Sequence, residues 1–84
     1  MAEVIAAGQL FGERLRELRT KRDITQVMLA DLTGIPQNHI SSIERGMKLP
    51  NLLTMIRLAS ALDCKLSALV SVFDKEQLSS FLSK

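Results

Sequence analysis

Apolar residues along this 84-residue chain recur at spacings of three and four, with polar residues filling the gaps. Phe11, Leu15 and Leu18 stand at i, i+4 and i+7, and Glu and Arg occupy the positions between them. This is one face of an amphipathic helix, predicted to run from about Gln9 to Arg22. A second helix starts after Thr25, whose side chain can cap it. It turns Leu29 and Ala30 toward the core and stops at Gly34. Pro36 opens a third helix, because proline in a first turn forfeits no helical hydrogen bond. Gly46 closes that helix, and Met47 to Pro50 form a connector. Asn51 caps a fourth helix carrying Leu52, Met55, Ile56, Leu58, Ala59 and Leu62, and Leu66, Leu69 and Val70 mark a short fifth. Asp74 can cap a last turn or two with Leu78, Phe81 and Leu82 on one side. No alternating strand pattern, internal repeat or low-complexity linker interrupts the series. The fold class is all-α, with an N-terminal extension (1–8), a helical domain (9–73) and a C-terminal segment (74–84).

The third helix has the most unusual composition. The two predicted helices Gln26–Thr33 and Gln37–Arg45 flank a three-residue turn beginning at Gly34, the layout of a helix-turn-helix whose second helix enters a DNA major groove. At about 100° per residue, Gln37, Ser41, Arg45, Asn38 and Ser42 follow one another around one continuous arc. Ile40 and Ile43 fall on the opposite side. Amides and hydroxyls are the groups that read base edges: Gln or Asn can pair bidentately with adenine, and Ser can donate or accept. An ordinary solvated face would carry Lys and Glu for helix propensity, whereas Asn and Ser are mediocre helix formers. Base reading is therefore favoured over plain solvation for this face. His39, the only histidine, lies beside the apolar side and suits a flank or phosphate contact better than base reading.

Charge adds modest support. The net charge is +2, and residues 9–48 hold seven basic side chains against five acidic ones, while the remainder balances at four against four. The whole excess therefore lies in the part containing the helix-turn-helix pattern, compatible with a nucleic-acid partner. Composition mainly excludes. One Cys and one His cannot form a zinc site or an intramolecular disulfide, so no metal or cofactor is expected. Three Phe and no Trp or Tyr argue against a single-strand surface built on stacked rings. No nucleophile–base pairing or Gly-rich phosphate loop suggests an enzyme. The N-terminus lacks a basic region of the signal-peptide kind, and no apolar run approaches the ~20 residues of a membrane span. A cytoplasmic protein without a membrane partner is expected.

Taken together, "FGERLRELR", "ITQVMLADLTGIPQNHISSIERG" and "LPNLLTMIRLASALDCKLSALV" resemble the Cro/C1-type, or XRE, helix-turn-helix family over about Phe11 to Val72. The resemblance implies a five-helix lambda-repressor-like domain, to which a short sixth helix can be added, that binds double-stranded operator DNA as a two-fold homodimer. It implies base-reading roles for Gln37, Asn38 and Ser42, with Ser41 on the same arc. It places Gln26 and the capping Thr25 against a phosphate, with Gln26 also bracing the reading residues, and Arg45, Lys48 and Asn51 along the backbone. It implies a partly buried ion pair between Arg19 and Glu44 that orients the reading helix. Three positions depart from the family pattern: Pro36 replaces a capping Ser or Thr, Asp63 replaces the usual terminating Gly, and Lys65 stands where a capping Ser or Asp begins helix 5. These bear on local loop geometry, not on the fold.

The resulting expectation is a sequence-specific transcriptional regulator with residues 37–45 in the major groove of a palindromic operator. The apolar residues Val72, Phe73, Leu78, Phe81 and Leu82 are candidates for the dimer surface; intramolecular packing of a sixth helix is an equal alternative. An antitoxin-like module whose main partner is another protein, a toxin, is the competing class. It has its footing in Val27, Met28 and Leu32, where relatives often carry charge. A small restriction–modification controller is a further possibility within the family.

Overall fold

Each helix sends at least one side chain wholly out of solvent: Leu15, Leu29, Ile40, Ile43, Leu58 and Leu69, joined by Leu62 at a helix end. The computed structural model of the chain describes residues 2–73. Among these, α1 spans Ala2–Lys21, α2 Gln26–Thr33, α3 Gln37–Glu44, α4 Leu52–Ala61 and α5 Leu66–Val70, and no strand occurs. The helices pack in a closed circuit, α1 on α3, α3 on α2, α2 on α4, α4 on α5 and α5 back on α1. Burying each Leu or Ile at the centre of this circuit contributes roughly 1.5–3 kcal/mol before the entropy of ordering is subtracted.

The helix ends follow turn chemistry. Gly34 takes φ 76° and donates its N–H to Ala30 O at 2.8 Å, closing α2. At the end of α3, Gly46 takes φ 78°, its N–H bonds Ile43 O at 3.0 Å, and the Met47 N–H bonds Ser42 O at 2.8 Å. That double closure recurs after α1 and α4 around non-glycine residues. Asp23 at φ 56° and Asp63 at φ 49° occupy the left-handed position, with Ile24 N–H on Arg19 O and Cys64 N–H on Ala59 O. The substitution of Asp63 for Gly therefore leaves the loop geometry intact.

One expectation is corrected. The first helix begins at Ala2, not near Gln9, so residues 2–8 are its first turns. The missing Cβ of Gly8 lets this helix approach Gly46: a Cβ there would lie 2.8 Å from the Gly46 carbonyl oxygen. In α4, only part of the apolar set faces inward. Leu58, Ala59 and the half-buried Met55 join the core with Leu62, whereas Leu52, Leu53 and Ile56 point to solvent. The core positions repeat at three and four from Met55; Leu53 lies across the helix from them, Ile56 lies on its flank, and Leu52 is exposed as the first residue of the helix. The expected sixth helix, with Leu78, Phe81 and Leu82, lies outside the described residues.

Candidate nucleic-acid interface

α3 is built to be held rigidly on one side and left open on the other. Ile40 and Ile43 are fully buried, while Gln37 and Asn38 are exposed at its first turn. Ser41 and Ser42 are half-buried on the flank of the same arc. Pro36 precedes the helix with no side chain to cap it; its carbonyl accepts the N–H groups of His39 at 3.0 Å and Ile40 at 3.1 Å. The Ser42 hydroxyl donates to Asn38 O at 3.0 Å. With its proton turned to the helix, Ser42 faces outward chiefly as an acceptor, suited to an exocyclic amino group.

Glu44 anchors the far end of α3, and its side chain is only 3% exposed. Arg19 Nε donates to its Oε2 at 2.6 Å and Arg19 Nη2 to its Oε1 at 2.9 Å. Arg19 Nη1 also donates to Ile24 O at 2.8 Å in the α1–α2 turn. The hydrogen bond to Glu44 raises the Arg19 pKa above its ordinary value, and burial opposes this only in part. Gln26 Nε2 adds a third bond to Glu44 Oε1 at 3.1 Å. One carboxylate thus ties α1, the first residue of α2 and the last residue of α3 together.

This network engages the first residue of α2. The family resemblance gives Gln26 a phosphate contact and a bracing role toward the reading residues; in the structure its amide is bonded to Glu44 at the end of α3. One N–H of the amide remains for an outside acceptor. Thr25 accepts the Met28 N–H at 3.1 Å and Asn51 accepts the Thr54 N–H at 2.8 Å, so both cap their helices. Their donor hydrogens stay available. Arg45 is exposed and folds back along α3, its Nε donating to Ser41 O at 3.3 Å. Lys48 is exposed on the connector and His39 is half-buried. Val72 and Phe73 are half-buried, and Phe73 packs against the chain's own core.

Sequence reasoning missed the glycine contacts that set α1 against α3. A Cβ on Gly12 would lie 2.4 Å from Ile43 O and 2.6 Å from Glu44 O. The signal was available, since Gly8 and Gly12 stand four apart on one helix face. It also missed Arg14, whose Nε donates to Ala68 O at 2.8 Å and pins α5 to α1 while the same guanidinium pairs with Glu17.

The helix-turn-helix family HTH_3 matches residues 15–69. The chain belongs to this family. Helix-turn-helix relatives include the immunity repressor protein of Bacillus phage phi105, 33% identical over 75 residues that cover 87% of this chain and 52% of the repressor. The HTH-type transcriptional regulator y4dJ of Sinorhizobium fredii is 33% identical over 67 residues, 80% of this chain and 87% of that protein. Among solved structures, the restriction-modification controller protein C.AhdI from Aeromonas hydrophila matches with a TM-score of 0.74 and 39% identity, over 76% of this chain and 97% of the controller. An HTH_3 family transcriptional regulator from Vibrio cholerae matches with a TM-score of 0.79 and 30% identity, over 92% of this chain and 43% of its own. The chain thus spans about half the length of the phage repressor. These relatives are named as repressors and regulators. Among the described residues no helix is long and apolar enough to cross a membrane.

Proposed function

We propose that the chain is a sequence-specific DNA-binding regulator that engages a palindromic operator as a homodimer, with α3 in the major groove of each half-site. Gln37, Asn38, Ser41 and Ser42 read base edges. Thr25, Gln26, His39, Arg45, Lys48 and Asn51 contact the phosphate backbone and set the register. The observation that carries this reading is the two-sidedness of α3: two exposed amides at its first turn, two buried isoleucines behind them, and a buried carboxylate locking its end. One such helix reads only a few base pairs, so two half-sites about 34 Å apart supply the specificity. Val72 and Phe73, with Leu78, Phe81 and Leu82, are the proposed dimer surface.

Selection of bound duplexes from random DNA tests this. A palindromic consensus is expected, with altered preference at one position per half-site for Gln37→Ala and for Ser42→Ala. Absence of any enriched palindrome would sink the reading. Sedimentation of the chain and of a Phe81→Asp, Leu82→Asp variant tests the dimer surface; an unchanged dimer would remove those residues from it. The match to C.AhdI favours a restriction–modification controller as the biological setting. A second reading, an antitoxin-like module with a toxin as its protein partner, is favoured by the solvent-facing Val27, Met28 and Leu32 on α2.

A further inference from the structure

Away from the reading face, α2 and α4 enclose a groove of about 460 Å³ lined by Leu32, Thr33, Ile56, Arg57, Ser60 and Ala61. Leu32 is 61% exposed and Ile56 47%. One turn before Leu32 stands Met28, and one turn before Ile56 stand Leu52 and Leu53, all exposed. Single exposed apolar residues are ordinary on a soluble domain and need no explanation. Here they stand at helical spacing on two packed helices, and Leu32 and Ile56 meet at one groove. The only charged lining residue is Arg57, which is exposed and has no ion-pair partner among the described residues.

We infer that this groove docks an acidic amphipathic helix of another protein, its apolar side chains seated between Leu32 and Ile56 and a carboxylate on Arg57. The mode is helix-in-groove recognition, in which residues one turn apart supply the anchors. Charge decides between occupants. A two-fold self-contact centred on the groove brings two Arg57 guanidinium groups together, and no lining residue offers a carboxylate to separate them. An acidic helix meets an unpaired cation instead. None of the lining residues belongs to the proposed DNA contacts, so partner and DNA can be held together, and the inference stands without the DNA-binding reading.

The test is selection of 16-residue peptides from a random display library on the intact chain, after removal of binders to a Leu32→Glu, Ile56→Glu variant. Enriched peptides should carry apolar residues at i and i+3 or i+4 together with Asp or Glu. The strongest, synthesised with a fluorescent label, should bind Arg57→Glu at least tenfold more weakly and regain affinity when its acidic residues are replaced by Lys. Because Arg57 is exposed, that variant keeps the test valid even if the double variant fails to fold. The inference is overturned if no peptide survives the removal step, or if the enriched peptides bind Arg57→Glu unchanged. It is equally overturned if sedimentation shows a wild-type dimer that Leu32→Glu dissociates, which would give the groove to a second copy of the chain.

Discussion

Arg19 on α1 holds Glu44 on α3 through two parallel hydrogen bonds of 2.6 and 2.9 Å, and their side chains are only 12% and 3% exposed. The pair fixes where the third helix ends relative to the first. Its net contribution to stability is small by the usual balance of desolvation and attraction, but breaking it is costly. Arg19→Met leaves Glu44 buried with Gln26 as its remaining side-chain partner and should lower stability by about 3–5 kcal/mol. Arg19→Met combined with Glu44→Leu should recover most of that loss, because no unpaired charge remains. Thermal unfolding of the two variants separates these outcomes; equal losses would show that packing, not charge, dominates the site.

The same pair predicts a pH response. Arg19 has its pKa raised by the bond to Glu44, so the stabilisation it provides is complete below its unfolded value and is lost only as pH rises through the higher folded value. The difference in stability between the wild type and Arg19→Met should therefore stay constant from about pH 8 to about pH 10. Denaturant unfolding across that range measures it. A gap that narrows with rising pH would mean a different group titrates against Glu44.

Gly12 sits where α1 crosses the end of α3, and the atoms a methyl group would strike are backbone oxygens that cannot swing away. Gly12→Ala should therefore destabilise by about 1–3 kcal/mol, despite alanine's better helix propensity. For a domain of this size that is a fall in Tm of roughly 4–8 °C per kcal/mol. A Tm equal to or above the wild type would show that α1 can slide away from α3 at no cost.

Asp23 and Asp63 hold the left-handed position that ends α1 and α4, a conformation that disfavours residues with a Cβ. Neither side chain has a hydrogen bond among the described residues that would be lost on its removal. Asp23→Gly and Asp63→Gly should each stabilise by about 0.5–1 kcal/mol, with the gain limited by glycine's greater freedom in the unfolded chain. Asp63→Val should destabilise. Denaturation midpoints for the three variants give the order directly.

The fold was legible because its two strongest signals are local. Apolar spacing placed α2 through α5, and Thr25, Gly34, Gly46 and Asn51 marked ends that need only their neighbours to form. What escaped depends on contacts between distant segments. The approach of Gly8 to Gly46 joins segments 38 residues apart, and the apolar spacing from Phe11 onward does not show that the helix begins at Ala2. In α4 the apolar residues outnumber the core positions, so composition could not tell Leu58 from Leu52. The Arg19–Glu44 pair, 25 residues apart, was reachable only through the family resemblance. The bond from Gln26 to the same carboxylate was not reachable at all, because a glutamine at a helix start has many partners within reach.

Contacts to bases and contacts to phosphates should separate cleanly in binding experiments. Gln37 is exposed at the first turn of α3, with its side chain free of hydrogen bonds among the described residues, and Lys48 lies exposed on the connector after it. Gln37→Ala should weaken operator binding by about 1–3 kcal/mol and relax preference at one base pair per half-site, with the salt dependence unchanged. Lys48→Ala should weaken operator and unrelated DNA alike and reduce the salt slope by about 1 per protomer, because one fewer counterion is released from each half-site. Titrations at several salt concentrations, on operator and on scrambled duplex, distinguish the two. If Lys48→Ala altered base preference, or if Gln37→Ala changed the salt slope, the division of labour between α3 and its following connector would have to be redrawn.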